Sequence, residues 1–433
     1  MINYNSVTTI KKYLKNIFFK LFQDKQPSNL FLAGLLIICC FIPGLSFGEE
    51  IDLDQALSLF YKNNYDILIN RYEIDKTQAD FIGAKLLPNP NLSVNYTGLE
   101  PEIKRGDNSQ LTLRIDQLIE LGGKRGFRSK SAGETLEAAK LTHQDTIRTL
   151  LVGFYTNYYN LLLNDLNIDF AKEELKRFDR VIEIGGKRYQ AGFLTLIDYT
   201  KLKVARIDLE NNLTTNITQY QNNLETFNAL LGGGGIYKPR GIQVKGDFPD
   251  YQVNPLIEKA YANRHDLLSL QRQIKASEYN QKLAKAQRIP DITLGVEYEG
   301  FGENLDPGLG AGISVGLPLF ARGQGDILKR KAELNQLKLQ IEKIKIQIQV
   351  DIKQGLNNYS SSIKIFDSYQ TRKDEMDQLL SGSEKAFSLG GITVLDLLDT
   401  HKTYKDFITK YNQSFIQATL NKALLKLSKG EIQ

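Results

Sequence analysis

Two aspartates one helical turn apart, Asp396 and Asp399, stand in the stretch FSLGGITVLDLLDTHK (387–402). At i, i+3 on a helix their carboxylates share one face. Repeated around a symmetry axis, they would stack into rings that attract cations at a constriction. A near-copy, YQAGFLTLIDYTKLK (189–203), lies 198 positions earlier and carries Asp198, with Lys201 where Asp399 would fall. In both copies a glycine ends one helix and Thr-x-x-Asp opens the next (Thr195 to Asp198, Thr393 to Asp396). That is the spacing of a capping box, with the acid also favoured by the helix N-terminus. Capping is the main role read for Asp198 and Asp396. It leaves Asp399 unexplained, and Asp399 is the principal candidate for a gate acid.

Other chemistry is sparse. GGKRG (122–126) and GGKRY (185–189) lack the first-glycine spacing and the terminal Lys-Ser/Thr of a phosphate loop, and read as flexible hinges at helix ends. His143, His265 and His401 fall in separate helical segments with no i, i+4 partner, so no metal triad is expected. Met376 is the one methionine besides Met1, and Cys39 and Cys40 are the only cysteines. The expectation is a protein that is not an enzyme, with no cofactor and no metal site.

The net charge of +5 is mostly local, because five of the 55 Lys and Arg but one of the 50 Asp and Glu fall in residues 1–48. The near-neutral remainder argues against nucleic acid as a partner, which needs a concentrated basic surface. Residues 1–48 read as a signal peptide: lysines, then the apolar core LFLAGLLIICCFI (30–42), then Ser46-Phe47-Gly48 as the small-x-small site, with cleavage after Gly48. Both cysteines would leave with it. The alternative, lipidation at Cys39 or Cys40, meets the difficulty that LLII precedes them in place of a small residue.

Behind these motifs lies a duplication. AKLLPNPNLSVNY (84–96) matches AQRIPDITLGVEY (286–298) at an offset of 202, and NNYDIL matches NRHDLL at an offset of 200. The expected organisation is a first repeat over 49–231, a glycine- and proline-marked linker over 232–253, and a second repeat over 254–430. Each repeat reads as helix, two strands, then a long helical pair. The first helix, 52–87, ends at Pro88 and Pro90. Strands are expected at about 92–99, 110–118, 291–299 and 309–317, each with one apolar face and one polar or small face. The polar faces carry Arg114, Asp116, Glu297 and Glu299. That alternation fits a half-buried sheet, and equally a membrane barrel with lipid outside and water inside.

Residues 127–184 and 324–386 read as near-continuous helices, the second with a seam at Leu334, Leu337, Ile341, Ile344 and Ile348. About 60 residues make a rod of roughly 90 Å. The partner helices are expected over 195–230 and 393–428. Four strands cannot close a barrel in lipid, where open edges are forbidden, so several copies would have to pool their strands. Twelve strands from three copies would enclose a pore.

Together the signal, the duplicated plan and the repeated glycine break resemble the TolC-like outer membrane efflux proteins over residues 50–430. QLIELGGKRGFRSKSA (117–132) is similar to the heavy-metal efflux subgroup typified by CzcC. The resemblance implies a mainly helical protomer with a small β part. Its homotrimer would form a twelve-stranded barrel in outer-membrane lipid on a long periplasmic α-helical barrel. It implies a passive exit duct of a tripartite efflux pump, here for heavy-metal cations, working with a periplasmic adaptor and an inner-membrane transporter of the RND type. The family's tip motif falls on Arg188, Tyr189, Gly192 and Asp198, and on Phe387, Gly390 and Asp396. Ala386 stands where the second arginine would be. The resemblance makes Gly192, Phe193, Leu194, Thr195, Gly390, Gly391, Ile392 and Thr393 the turns that adaptor hairpins engage. It makes Asp198, Asp396 and Asp399 the periplasmic gate, while Arg114, Asp116, Glu297 and Glu299 would face the barrel lumen. Rival readings are the same duct serving drugs or secreted proteins, and a secreted coiled-coil scaffold.

Overall fold

The computed structural model describes residues 49–98, 109–241, 248–301 and 306–432. The signal reading on 1–48, with Cys39 and Cys40, lies outside these residues, as does Leu99 at the end of the first expected strand. The described chain divides into two units. One, residues 49–51 with 234–238, is a small ribbon built on the pairing of β1 (Glu49–Ile51) with β4 (Tyr237–Pro239), and the Glu49 N–H donates to the Ile236 carbonyl at 2.9 Å.

The other unit holds everything else. Its first half runs α1 (Leu53–Asn63), α2 (Tyr65–Lys85), β2 (Asn91–Thr97), β3 (Gln110–Ile119), α3 (Lys124–Gln190) and α4 (Leu196–Leu230). The second half repeats the order with α5 (Val253–Asn263), α6 (His265–Ala286), β5 (Ile292–Phe301), β6 (Gly308–Val315), α7 (Gln324–Gln370), α8 (Lys373–Leu389) and α9 (Val394–Ser428). The 67 residues of α3 make a helix about 100 Å long at 1.5 Å per residue.

Three sequence readings need correction. The helix expected over 52–87 is two, because the Asn64 side chain caps α2 by accepting from the Ile67 N–H at 3.1 Å while donating to the Leu230 carbonyl at 2.9 Å. Residues 324–386 also break, at Thr371–Arg372, where neither glycine nor proline marks the site. There the ladder tightens from an i−4 bond (Thr371 to Asp367) to an i−3 bond (Arg372 to Tyr369), and α8 starts afresh. Finally, Gly185 and Gly186 are no hinge. They sit inside α3, where a Cβ on Gly185 would meet Leu202 Cδ1 at 2.7 Å. They let α4 approach α3 closely.

The apolar stripes of these helices meet in separate clusters along the unit. Ile348 and Ile352 of α7 pack with Leu256, Ala260 and Leu267 of α5 and α6 and with Leu425 of α9. The expected seam is on this covered side: Leu334 and Ile348 are buried, and Leu337, Ile341 and Ile344 half-buried. Aromatic rings of Phe60, Phe154, Tyr158 and Phe227 fill the corresponding place in the first half. At the far turns, Phe178, Val181, Leu202, Phe387, Val394 and Leu397 form a third cluster.

All four long strands form one antiparallel sheet in the order β2-β3-β5-β6. The register sets Arg114 opposite Glu297, Leu113 opposite Tyr298 and Val296 opposite Ala311. Because side chains alternate, one face is Leu92, Val94, Leu113, Ile115, Val296 and Ile313, all exposed. Among the described residues the outer edges of β2 and β6 have no strand partner. No described helix is long and apolar enough to cross a membrane.

Candidate functional site: two helix turns and a polar sheet face

Each turn ends its helix in the same way. After α3, the Gly192 N–H donates to the Tyr189 carbonyl at 3.0 Å and the Phe193 N–H to the Arg188 carbonyl at 2.8 Å. After α8, Gly390 and Gly391 donate to Phe387 and Ala386 at 3.0 and 2.8 Å. These paired bonds need a left-handed residue, supplied by Gly192 at φ 79° and Gly390 at φ 83°.

The helix starts differ between the copies. Thr393 and Asp396 make the full reciprocal box: the Asp396 N–H donates to Thr393 Oγ1 at 3.2 Å, and the Thr393 N–H returns to Asp396 Oδ2 at 3.1 Å. Thr195 caps the Asp198 N–H at 3.1 Å, and Asp198 turns instead to the Thr195 hydroxyl at 2.8 Å and to Lys201 at 3.2 Å. These partners, the Thr393 hydroxyl first and the Thr195 hydroxyl first, hold the two carboxyls below the usual aspartate range. Asp399 is exposed, one turn along from Asp396, and makes no hydrogen bond or ion pair among the described residues. The acid without a capping role is thus the one without a side-chain partner among the described residues.

Of the residues expected to meet an adaptor, Phe193 is 76% exposed, while Leu194 and Ile392 turn inward onto the third cluster. The rim is widened by Leu196, Ile197, Leu389 and Leu395, all exposed and none singled out in the sequence.

Arg188 and Phe387 are joined across the two copies. The guanidinium Nη1 donates to the Phe387 carbonyl at 2.5 Å, and Cζ stands 4.9 Å from the centre of the Phe387 ring. Phe387 is the residue that replaces the tyrosine of the first copy, and it is 1% exposed. The tyrosine itself, Tyr189, stacks on Tyr199 with ring centres 5.4 Å apart.

On the sheet, Arg114 gathers two of the expected lumen acids. Its Nε lies 3.0 Å from Asp116 and its Nη1 3.0 Å from Glu297. Glycines make the room: a Cβ on Gly295 would collide with Asp116 and Arg114, and one on Gly310 with Glu297. Glu299 shares the face, opposite Thr112. Where the sheet meets the helices, buried Lys124 bonds the Ile289 carbonyl and Asp291, each at 2.7 Å, and Arg128 pairs with Glu120. The subgroup-like stretch 117–132 therefore clamps the start of α3 to the second repeat.

Sequence reasoning excluded His401 from a metal triad and gave it no other role. It is 5% exposed and held between Glu174 of α3 and Glu384 of α8. Among the described residues no group of His, Cys, Asp and Glu is arranged to hold a metal ion.

Known proteins share this architecture and sequence pattern. A crystal structure of the channel protein CusC superposes with a TM-score of 0.77 at 14% identity, covering 88% of this chain and 93% of CusC. The outer membrane protein VceC of Vibrio cholerae gives 0.73 at 18% identity, covering 87% of this chain and 96% of its own. In sequence, the cobalt-zinc-cadmium resistance protein CzcC of Cupriavidus metallidurans is 23% identical over 363 residues, 82% of this chain and 84% of CzcC. TolC of Escherichia coli is 23% identical over 441 residues, 90% of this chain and 86% of TolC. The outer membrane efflux protein profile matches residues 56–233 and 256–419, one stretch in each repeat. A duplicated protomer with an open four-stranded sheet and paired helix turns is thus a member of the outer membrane efflux protein family.

Proposed function

We propose that three copies pool their sheets, β6 of one against β2 of the next, into a twelve-stranded outer-membrane barrel. The helices would continue it as a periplasmic tube. The observation that carries this reading is the open sheet with an exposed apolar face, a polar opposite face and two unpaired edges. Lipid requires every backbone group at such an edge to find a partner. The assembly acts as a passive exit duct whose narrow end is the ring of helix turns, with Asp399, Asp396 and Asp198 around the opening. Its partners are a periplasmic adaptor seated on the exposed rim and an RND-type inner-membrane transporter. The cargo is heavy-metal cations, supported by the similarity to CzcC and by the unneutralised acid at 399.

The full-length chain, extracted from outer membranes and reconstituted in a planar bilayer, tests the duct. Trimer-sized particles with discrete conductance steps are expected, and detergent-free solubility without conductance would refute it. In a strain lacking its own metal exit duct but supplied with a metal transporter and adaptor, restored growth on cobalt, zinc or cadmium supports the cargo. Rescue against drugs alone would reassign it.

A further inference from the structure

Three buried polar atoms without hydrogen-bond partners meet around one imidazole: Glu174 Oε2, Glu384 Oε1 and His401 Nε2. Their parent residues come from three different helices, α3, α8 and α9. His401 Nδ1 lies 2.6 Å from Glu174 Oε1, a hydrogen bond, while Nε2 lies 3.5 Å from Glu384 Oε1 without one.

A neutral imidazole has one N–H. If Nδ1 donates it to Glu174, the Nε2 lone pair faces a carboxylate oxygen in a place with almost no water, and two acceptors confront each other. One added proton removes the conflict, either on Nε2, where it donates to Glu384, or on Glu384, where it donates to Nε2. We propose that Glu174, His401 and Glu384 share one such proton, and that it fastens α9 to α3 and α8 just behind the helix turns.

Burial favours retention of the proton, and the cations among the charged groups facing the trio oppose it. From α3 come Arg177 and Arg180, from α4 Asp208, from α8 the ion pair of Lys373 with Asp377, and from α9 Lys402, Lys405 and Tyr404, whose hydroxyl bonds Asp377. Phe178 closes one side, its ring edge-on to the imidazole at 5.1 Å. Burial pushes the Glu384 carboxyl up; His401, Arg177 and Arg180 oppose that shift and Glu174 adds to it. A surface pocket of about 330 Å³, lined by Asp208, Leu398, His401, Lys402 and Lys405, gives bulk protons a path.

A raised carboxyl binds its proton in the folded state at a pH where the unfolded chain has released it. Its stabilisation is therefore complete below the ordinary glutamate range and is lost as pH rises through the folded value. Release leaves a lone pair against a carboxylate, and the contact between α9 and α8 loosens. The link to gating rests on the duct reading above, whereas the proton link itself is read without any channel.

The test is hydrogen exchange of the α9 backbone amides from 397 to 404 in the full-length detergent-solubilised protein, from the ordinary glutamate value of 4.5 up to about pH 8.5, corrected for intrinsic rates. The opening equilibrium of this segment should rise by up to tenfold per pH unit, the limit for release of one proton. In Glu384→Gln the amide N–H donates to Nε2 without titrating, so the slope should vanish. A flat profile in the unmodified protein overturns the proposal with no variant needed, and so does an unchanged slope in Glu384→Gln. Exchange that follows pH while conductance does not would uphold the shared proton and count against the gate.

Discussion

The Arg188 guanidinium of the first copy grips the Phe387 carbonyl of the second at 2.5 Å and lies over its ring. The second copy, with Ala386 at the matching position, returns no such bond. The duplication is therefore broken at the turns, and one arginine spans both helix pairs. Arg188→Ala should lose a charged hydrogen bond and a ring contact, about 1–2 kcal/mol. The expected readings are a lower melting temperature and longer open dwell times in single-channel records. Arg188→Lys, which keeps the charge but not the planar fork, should recover only part of either.

Asp399 is exposed and without a partner, so Asp399→Ala should leave the melting temperature unchanged. If it is the gate acid, block by divalent cations should weaken by an order of magnitude in planar-bilayer recordings. Asp399→Lys, which copies Lys201, should turn cation preference down further. Equal divalent block in wild type and both variants would remove Asp399 from the gate.

Thr393→Ala should be the structural counterpart. It removes the cap of α9 and costs about 1 kcal/mol, with little effect on block. A circular-dichroism melt compared with the conductance of the same variant separates the two roles.

Gly390→Ala forces a side chain into φ 83°. Space is not the obstacle, since the nearest atom to an added Cβ is Arg188 Nη2 at 3.5 Å. Backbone strain of about 1–2 kcal/mol is the expected cost, visible as faster proteolysis at residues 389–393.

Arg264, 3% exposed, takes the place that Asn64 holds in the first half. It binds Asp266 at 2.5 Å and Asp351 at 2.8 Å. Burial works against the Asp266 carboxylate, yet the guanidinium holds it below the ordinary range. A depressed carboxyl contributes stability that is present above the unfolded value and lost as pH falls through the folded one. Arg264→Met should cost about 3–5 kcal/mol at neutral pH, and less below pH 3.8, as Asp266 protonates. Chemical melts at pH 7 and pH 3.5 check both sign and size.

The sequence alone determined what depends on local spacing. Period-two alternation located the four strands and their polar residues to within a few positions. Gly192 and Gly390 announced left-handed turns because few other residues accept them, and Thr195 and Thr393 announced helix starts. Even the oddity of Asp399 was legible, as a mismatch between two copies. Element ends were less so: the break at Thr371–Arg372 has no glycine or proline, and Asn64 reveals itself as a cap only through the Leu230 carbonyl it also holds.

Tertiary structure decided what distant segments do together. Glu174 and His401 are 227 positions apart, and nothing near either one marks it as buried beside the other. Arg188 and Phe387 are 199 apart, and their bond runs to a backbone carbonyl, which has no side-chain signature. Helical spacing tells which side of a helix is covered but not which helix covers it. The identity of that neighbour sets the buried His401 between two carboxyl groups while His143, on another helix, bonds Asn70.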